Sequence, residues 1–519
     1  MNKTFRATAI CLGILLALFL KPVSAEVPQV KIRVAQYEKT LEFVMPDGGT
    51  WVSGKKSGKI QPGKLYRIDG TIKAKALRRY HLMVGSAGIN KPELLNAIEK
   101  KFEAFKTHRF QAGALPSFGY PDNRIVFVGV GIFENETQAC EQQNKLATDN
   151  ISSWVFIENI KLATGHIKLT TGKQTLINST SGIQLVANKF TTLKKAEFAK
   201  GYSWHGFEDR HFAEKLTINW GAEDLLDCVE HTDLEKLIIG IVPSEISAKA
   251  PPAALQAQAV AARGEMLSKK GVRHLNEGYD FCSEQHCQVY KGIQATDKAI
   301  AASIRCTRGQ LMQNHEGGIL DAVYGANCGG HSSANHSIWT SNPDPHLQGV
   351  SDCITQSEID LTDEKTAANF VLSPPACWCS TANVEGADKF RWKKVLNSAD
   401  WHKVEAAAAV GRIKEIGSFI REVSGRIISM KIIGENGEKT ILKELPIRQL
   451  LGGLRSSFFT VIWQRDPSGF ITGAEFSGAG WGHGVGMCQT GAQSMALAGH
   501  KFNTILAHYY PGAKLKKLY

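Results

Sequence analysis

Between Phe476 and Cys488 every second residue is a glycine: Gly478, Gly480, Gly482, Gly484 and Gly486. Such a stretch lets another backbone or a ligand come very close. A glycine alternation can suggest a phosphate loop, but no Lys-Ser/Thr pair follows and no strand-turn-helix unit surrounds it. That excludes nucleotide binding. On the residues alone two readings stay open. Alternating glycines beside Trp481 and His483 suit a sugar ring, which an indole can stack on and an imidazole can hydrogen-bond. They equally suit a tight, glycine-packed strand with a structural histidine. The spacing predicts a helix over roughly 488–498, with Gly499 just past its end.

The chain has 519 residues, which at about 150 residues per domain implies two to four domains. Hydrophobic residues make up 43% and charged residues 21%, as in ordinary globular proteins, which argues against long disorder, collagen or a polytopic membrane protein. Lys and Arg outnumber Asp and Glu by 61 to 49, a net +12, so polyanions are the favoured partners. Residues 1–25 read as a cleavable export signal: basic MNKTFR, an apolar run of about 14 residues, and a small-residue site at Val23-Ser24-Ala25. The expected location is the periplasm or cell envelope, which makes nucleic acid an unsuitable partner. Ten cysteines follow Cys11, an even number that suggests disulfides, metal ligands or both.

Residues 26–78 read as a small β-rich segment, with alternation in VKIRVAQ and LEFVM. Residues 79–160 give the order βαββαβ, with Leu94, Ile98, Phe102 and Phe105 as the apolar stripe of the first helix. Residues 161–240 are β-rich again. The texture then changes and motifs appear. The fold class is α+β and multi-domain, with β-rich N-terminal parts and a mixed α/β catalytic region over 161–519.

In IVPSEIS, residues 241–247, an apolar strand is expected to end at Pro243 and leave Glu245 in the connection. Its apolar neighbours Ile241, Val242 and Ile246 would raise its pKa. Pro251 and Pro252 open a helix that carries Leu255, Ala259, Ala262 and Met266 as its core stripe, with Arg263 on another face. In the next motif Cys282, His286 and Cys287 crowd together, with His274 upstream. Thiolates and imidazoles this close suit a tetrahedral zinc, and a local Cys282–Cys287 disulfide suits the same spacing. No motif for an organic cofactor is present.

IVPSEIS, ALQAQAVAAR, HCQVYKG, ANCGGHS, RW at 391–392, SGRI at 424–427, IRQLLG, LRSSFF, GWGHGVGMCQTGAQSMALAG and YYPG occur in one order over about 300 residues. Together they resemble the stage II sporulation protein D, or amidase enhancer, family. The resemblance implies a peptidoglycan lytic transglycosylase acting on glycan strands stripped of their peptides, with some members stimulating a peptidoglycan amidase. It places the catalytic acid at Glu245, although Ile246-Ser247 stand where the family usually has Met-Pro. It makes Arg263, Tyr290, His483 and Gln489 candidates for orienting sugar. It makes His274, Cys282, His286 and Cys287 candidates for a structural zinc. The segment 354–385, with Cys377 and Cys379, reads as a variable insertion. Separately, VFVGVGIFENETQACEQQNKL resembles the sporulation-related repeat, which implies that 79–160 binds denuded glycan. Lys100, Lys101, Lys106 and Arg109 would supply its basic face.

Overall fold

The computed structural model describes residues 26–37, 40–113, 121–149, 151–200, 205–293, 298–339, 342–355 and 358–519. The segment read as an export signal, 1–25, lies outside the described residues. The architecture is α+β and multi-domain, with eleven α-helices and several sheets among the described residues.

Residues 26–78 do not form a unit of their own. Their strands enter two sheets together with strands from 164–233, so the expected boundary at 161 does not divide the fold. In the seven-stranded sheet Gln29–Tyr37 pairs with Leu226–Asp233, and Gly49–Ser53 pairs with Ile183–Ala187. In the six-stranded sheet Leu65–Ala74 lies between Thr40–Val44 and Thr164–Thr171. Alternate residues of both sheets, among them Ile32, Phe43, Ile68, Leu185 and Ile218, fill one core. The pleat explains the period-2 pattern, and the register is pinned because a one-residue slip would turn each buried set outward.

The segment 77–161 is looped out of this unit. Its strands order as Thr107–Ala112, Ile125–Phe133, Leu77–Gly88, Trp154–Lys161, all antiparallel, with two helices on one face. That is the split-βαβ arrangement. The first helix, Pro92–Lys101, buries Leu95, and Phe102 just beyond it is buried too, while Leu94 and Phe105 are exposed. The expected stripe was therefore one residue out of phase at its start. Ala74 pairs with Thr164 across the six-stranded sheet, so the two ends of the insert are neighbours. Replacing 77–161 by a short Gly/Ser turn is expected to leave a soluble chain with cooperative thermal unfolding. Aggregation of that chain, or loss of its unfolding transition, would show that the insert belongs to the core.

The largest departure from the sequence expectation is at residues 234–245. These form a helix, not a strand, capped by Asp233, whose carboxylate accepts the Lys236 N–H at 2.9 Å. Leu234, Leu237, Ile238, Ile241 and Val242 are fully buried, and their spacing is helical. The continuous run LIIGIV hid that period. Pro243 lies in the last turn, and the chain leaves the helix in extended form at Ile246. The helix Pro252–Lys269 packs on it, and Lys298–Arg305, Gln489–Leu497 and Phe502–Tyr509 pack on Pro252–Lys269 around the same core. Residues 391–479 build a further unit with its own core of Trp392, Trp401, Ile432, Phe459 and Phe476.

Candidate active site

Glu245 is the last residue of its helix, where the carbonyl ends of the backbone disfavour a negative charge. It is partly accessible, and its Oε1 accepts the Val289 N–H at 2.6 Å. Burial pushes its pKa up to about 7, the nearby Glu265 charge adds to the rise, and the Val289 bond opposes it. Val289 belongs to the Gln288-Val289-Tyr290 segment. Gln288 donates to Glu265 at 2.6 Å and accepts from the Tyr324 hydroxyl. Glu265 is also paired with Lys269 at 2.7 Å, which reaches Asp321 at 3.0 Å. Glu245 thus sits at one end of a buried polar chain running through Gln288, Glu265 and Lys269. The sequence analysis missed Glu265, Gln288 and Tyr324. Glu265 lies two residues from Arg263 on a helix, where a carboxylate looks like an ordinary solvated side chain.

Three of the four proposed sugar-orienting residues turn inward. Arg263 is 0% exposed and forks onto Glu235 at 2.8 and 2.9 Å, with the Thr307 hydroxyl at 3.1 Å. Burial opposes ionisation of Glu235, yet Arg263, Tyr519 and the Gly309 N–H together hold its carboxyl below the usual range. Tyr290 is 6% exposed and gives its hydroxyl to the buried Glu230 at 2.8 Å. Gln489 is 7% exposed and bonds Gln258 at 3.3 Å. Each ties helices or sheet together, with its polar end on a buried partner. Motif membership did not distinguish a residue that holds the site from one that lines it.

His483 is pinned within its loop. Nδ1 accepts the Val485 N–H at 3.0 Å, and the Tyr324 backbone bonds the ring as well. Burial and the nearby Arg426, Lys269 and Arg448 charges push its pKa down to about 3, so the ring is neutral at pH 7. Its face rests against Trp339, which is 36% exposed, with ring centres 5.0 Å apart. Trp481 is flanked by Arg455 at 4.5 Å and Lys389 at 5.5 Å. The glycines beside it have positive φ, and Gly482 faces open space. The histidine is thus held within its loop, while Trp481 stays partly exposed beside Gly482.

Trp339 also lines a cavity of about 1550 Å³ between the insert and the rest of the chain. Lys269, Asp321, Arg273 and the insert's Phe127, Trp154 and Phe156 share its wall, whereas Glu245 does not reach it. The three aromatics lie on the open face of the insert's sheet, opposite its helices, 5.6 and 5.9 Å from ring to ring. The expected basic face is weaker than it looked, because Arg109 is bound to Glu99 at 2.6 Å.

His274, Cys282, His286 and Cys287 do converge: their ligand atoms all lie within 4.8 Å of one another. Individual separations are 3.3 Å for His274 Nε2 to Cys287 Sγ, 3.5 Å for Cys287 Sγ to His286 Nδ1, and 3.8 Å for Cys282 Sγ to His286 Nδ1. Zinc bonds of about 2.3 Å to sulfur and about 2.0 Å to nitrogen put tetrahedral neighbours roughly 3.6 Å apart. His274 Nδ1 faces Glu277 at 3.2 Å, the carboxylate–histidine arrangement that orients a ligand. The donor set fits zinc. Parallel pairing of Phe281–Cys282 with the strand Gln29–Tyr37 positions the cluster.

A profile described as Stage II sporulation protein matches residues 222–313, the span that holds Glu245, the Pro252–Lys269 helix and the Cys/His cluster. Amidase enhancer of Bacillus subtilis (strain 168) is 30% identical over 305 residues, 53% of this chain and 40% of that protein. Stage II sporulation protein D of Bacillus amyloliquefaciens is 28% identical over 303 residues, 56% of this chain and 76% of that one. Residues 222–313 therefore form a stage II sporulation protein domain, and about half of the chain is similar to stage II sporulation protein D and amidase enhancer. The match to its Bacillus subtilis amidase enhancer relative spans less than half of that protein. A second profile, described as a domain of unknown function (DUF8618), covers residues 333–486. That span holds Trp339 and His483 as well as the 391–479 unit.

Proposed function

We propose that the chain is an exported lytic transglycosylase that cleaves denuded peptidoglycan strands between N-acetylmuramic acid and N-acetylglucosamine, with Glu245 as acid and then base. The observation that carries it is a partly accessible carboxyl at a helix C-terminus, with its pKa raised to about 7 and the Val289 N–H as its backbone donor. Protonated Glu245 gives its proton to the glycosidic oxygen. Positive charge develops at the muramic C1. The carboxylate so formed takes a proton from that sugar's own C6 hydroxyl, whose oxygen closes the 1,6-anhydro ring. One carboxyl serves both steps, whereas two-carboxylate glycosidases must also activate water or attack the sugar. A pKa near the working pH lets one group do both. Trp481, Trp339, Lys389 and Arg455 would hold the strand through stacking and through attraction of the lactyl carboxylates.

The pH profile follows from the raised pKa. The acid form is the one needed by the free enzyme, so kcat/KM is expected to be flat below about pH 7 and to fall about tenfold per unit above it. Stability moves the same way. The folded protein keeps a proton on Glu245 that the unfolded chain releases near pH 4.5, so this group's contribution is lost as pH rises from there to about 7. Rate measurements from pH 5 to 9 check the first statement, and a kcat/KM that keeps rising through pH 8 would contradict it.

We further propose that His274, Cys282, His286 and Cys287 hold one structural zinc. It would fix the segment whose Val289 N–H meets Glu245, and take no part in the chemistry. Metal analysis of reduced protein is expected to find it, with loss after Cys282→Ser/Cys287→Ser. A mapped Cys282–Cys287 disulfide, with no zinc bound after reduction, would contradict this. The insert 77–161 is proposed to dock glycan on its Phe127, Trp154 and Phe156 face. Its deletion should leave cleavage of soluble glycan intact and weaken sedimentation with denuded sacculi.

The name of the Bacillus subtilis relative, amidase enhancer, favours a second reading, in which the chain binds glycan and activates a peptidoglycan amidase without cutting. Mixing the protein with such an amidase separates the two. Stimulation that survives Glu245→Gln, with no glycan cleavage by the wild type, would establish the second.

A further inference from the structure

Three cysteines far apart in sequence meet behind the alternating glycines. Cys328 lies in the turn Ala326–Gly330, Cys379 in the short 3-10 turn Trp378–Ser380, and Cys488 at the N-cap of the helix Gln489–Leu497. Their sulfurs and a carboxylate oxygen of Asp352 all lie within 4.8 Å of one another, and all four residues are buried. We propose that Cys328, Cys379, Cys488 and Asp352 form a second metal site, distinct from the Cys/His cluster, that holds one zinc-class divalent ion in a structural role.

The spacing selects a single ion. Cys328 and Cys379 sulfurs are 3.6 Å apart. Two thiolates on a tetrahedral zinc stand about 3.8 Å apart. An iron–sulfur cluster distributes its ligands over two or more irons and so spreads the set as a whole wider. A disulfide cannot account for the group. Any one S–S bond among three thiols leaves the third thiol and a fully buried carboxylate side by side. Nor is another cysteine at hand for the odd one, since Cys353 and Cys377 face each other with sulfurs 2.9 Å apart.

The surroundings orient two of the ligands. Cys488 Sγ accepts the N–H groups of Cys328 at 3.3 Å and Gly491 at 3.4 Å. Asp352 accepts the Tyr509 hydroxyl at 2.7 Å on one oxygen and the Cys379 N–H at 2.8 Å on the other. Such outer partners orient metal ligands. The Arg391 guanidinium lies beside the group, bonded to the Gly329 carbonyl at 2.9 Å. Three thiolates, a carboxylate and a divalent ion carry the same net charge as a four-cysteine zinc site. The ion would tie together the 326–330 turn, the 352–379 segment and the 489–497 helix. Because the Trp481 N–H donates to the Asn327 carbonyl at 2.9 Å, it would also set the position of the Trp481 loop.

The test uses full-length protein, reduced and handled without oxygen, in a Cys282→Ser/Cys287→Ser background that empties the first cluster. One equivalent of zinc is expected to remain. Replaced by cobalt, it should show sulfur-to-cobalt charge transfer with the intensity of three thiolates, lost on adding Cys488→Ala. Cys328, Cys379 and Cys488 should resist alkylation until a chelator is added. Should Cys488→Ala fail to fold, the background protein alone still decides. No retained metal there overturns the site, as does any mapped disulfide among these three cysteines in protein recovered from the cell envelope. Two equivalents in the unsubstituted chain support both sites. One equivalent that is insensitive to Cys282→Ser/Cys287→Ser supports this site and removes the first.

Discussion

Replacing Glu245 by Gln is expected to lower formation of anhydro products by about 10³-fold or more, because one group serves as acid and then as base. Glutamine keeps the shape and can still accept the Val289 N–H, now 2.6 Å from Oε1. It cannot give up a proton to the glycosidic oxygen. Binding of denuded glycan should be nearly unchanged, since stacking surfaces such as Trp339 and Trp481 are untouched. The variant should be at least as stable as the wild type at pH 8, where the wild type must hold a charge its surroundings disfavour. A stable, binding, inactive variant is the expected result. Retention of a tenth of wild-type turnover would remove Glu245 from the role.

Arg263→Ala is expected to act on stability instead, with a loss of about 3–5 kcal/mol. The side chain is fully buried, and its removal leaves the Glu235 carboxylate without its bidentate partner. Tyr519 at 2.6 Å and the Gly309 N–H at 3.1 Å would remain on Glu235, and neither carries a charge. Adding Glu235→Gln should recover part of the loss, because the orphaned charge is then gone. Denaturant titration at constant m-value gives the number. A cost below about 1 kcal/mol, or a fall in kcat in protein that is still fully folded, would contradict a purely structural role.

Much of the site was legible because its residues lie close together in the chain. Cys282, His286 and Cys287 fall within six residues, and one upstream histidine completes the set. Glu245 stood out as a lone carboxylate among apolar residues. What the sequence hid was direction. Arg263 and Gln489 look like surface residues of helices, yet those helices are packed on every side, so polar side chains there serve each other. The helix at 234–245 was hidden by the continuous apolar run, which at that length is compatible with a strand; only the cap at Asp233 and the inward set from Leu234 to Val242 decide it. The Cys328, Asp352, Cys379 and Cys488 group was not legible because it depends on three chain crossings. The β unit built from both sides of the 77–161 insert was hidden for the same reason, since strand partners there lie more than 100 residues apart.

The chemistry of the cut ends tests the central claim most directly. Denuded glycan strands digested by the wild-type protein in ¹⁸O-labelled water should give 1,6-anhydromuramyl ends, seen by mass spectrometry, with no label incorporated. Reducing muramyl ends that carry ¹⁸O would instead make the chain a hydrolase, and intact strands with peptides released from whole peptidoglycan would make it an amidase.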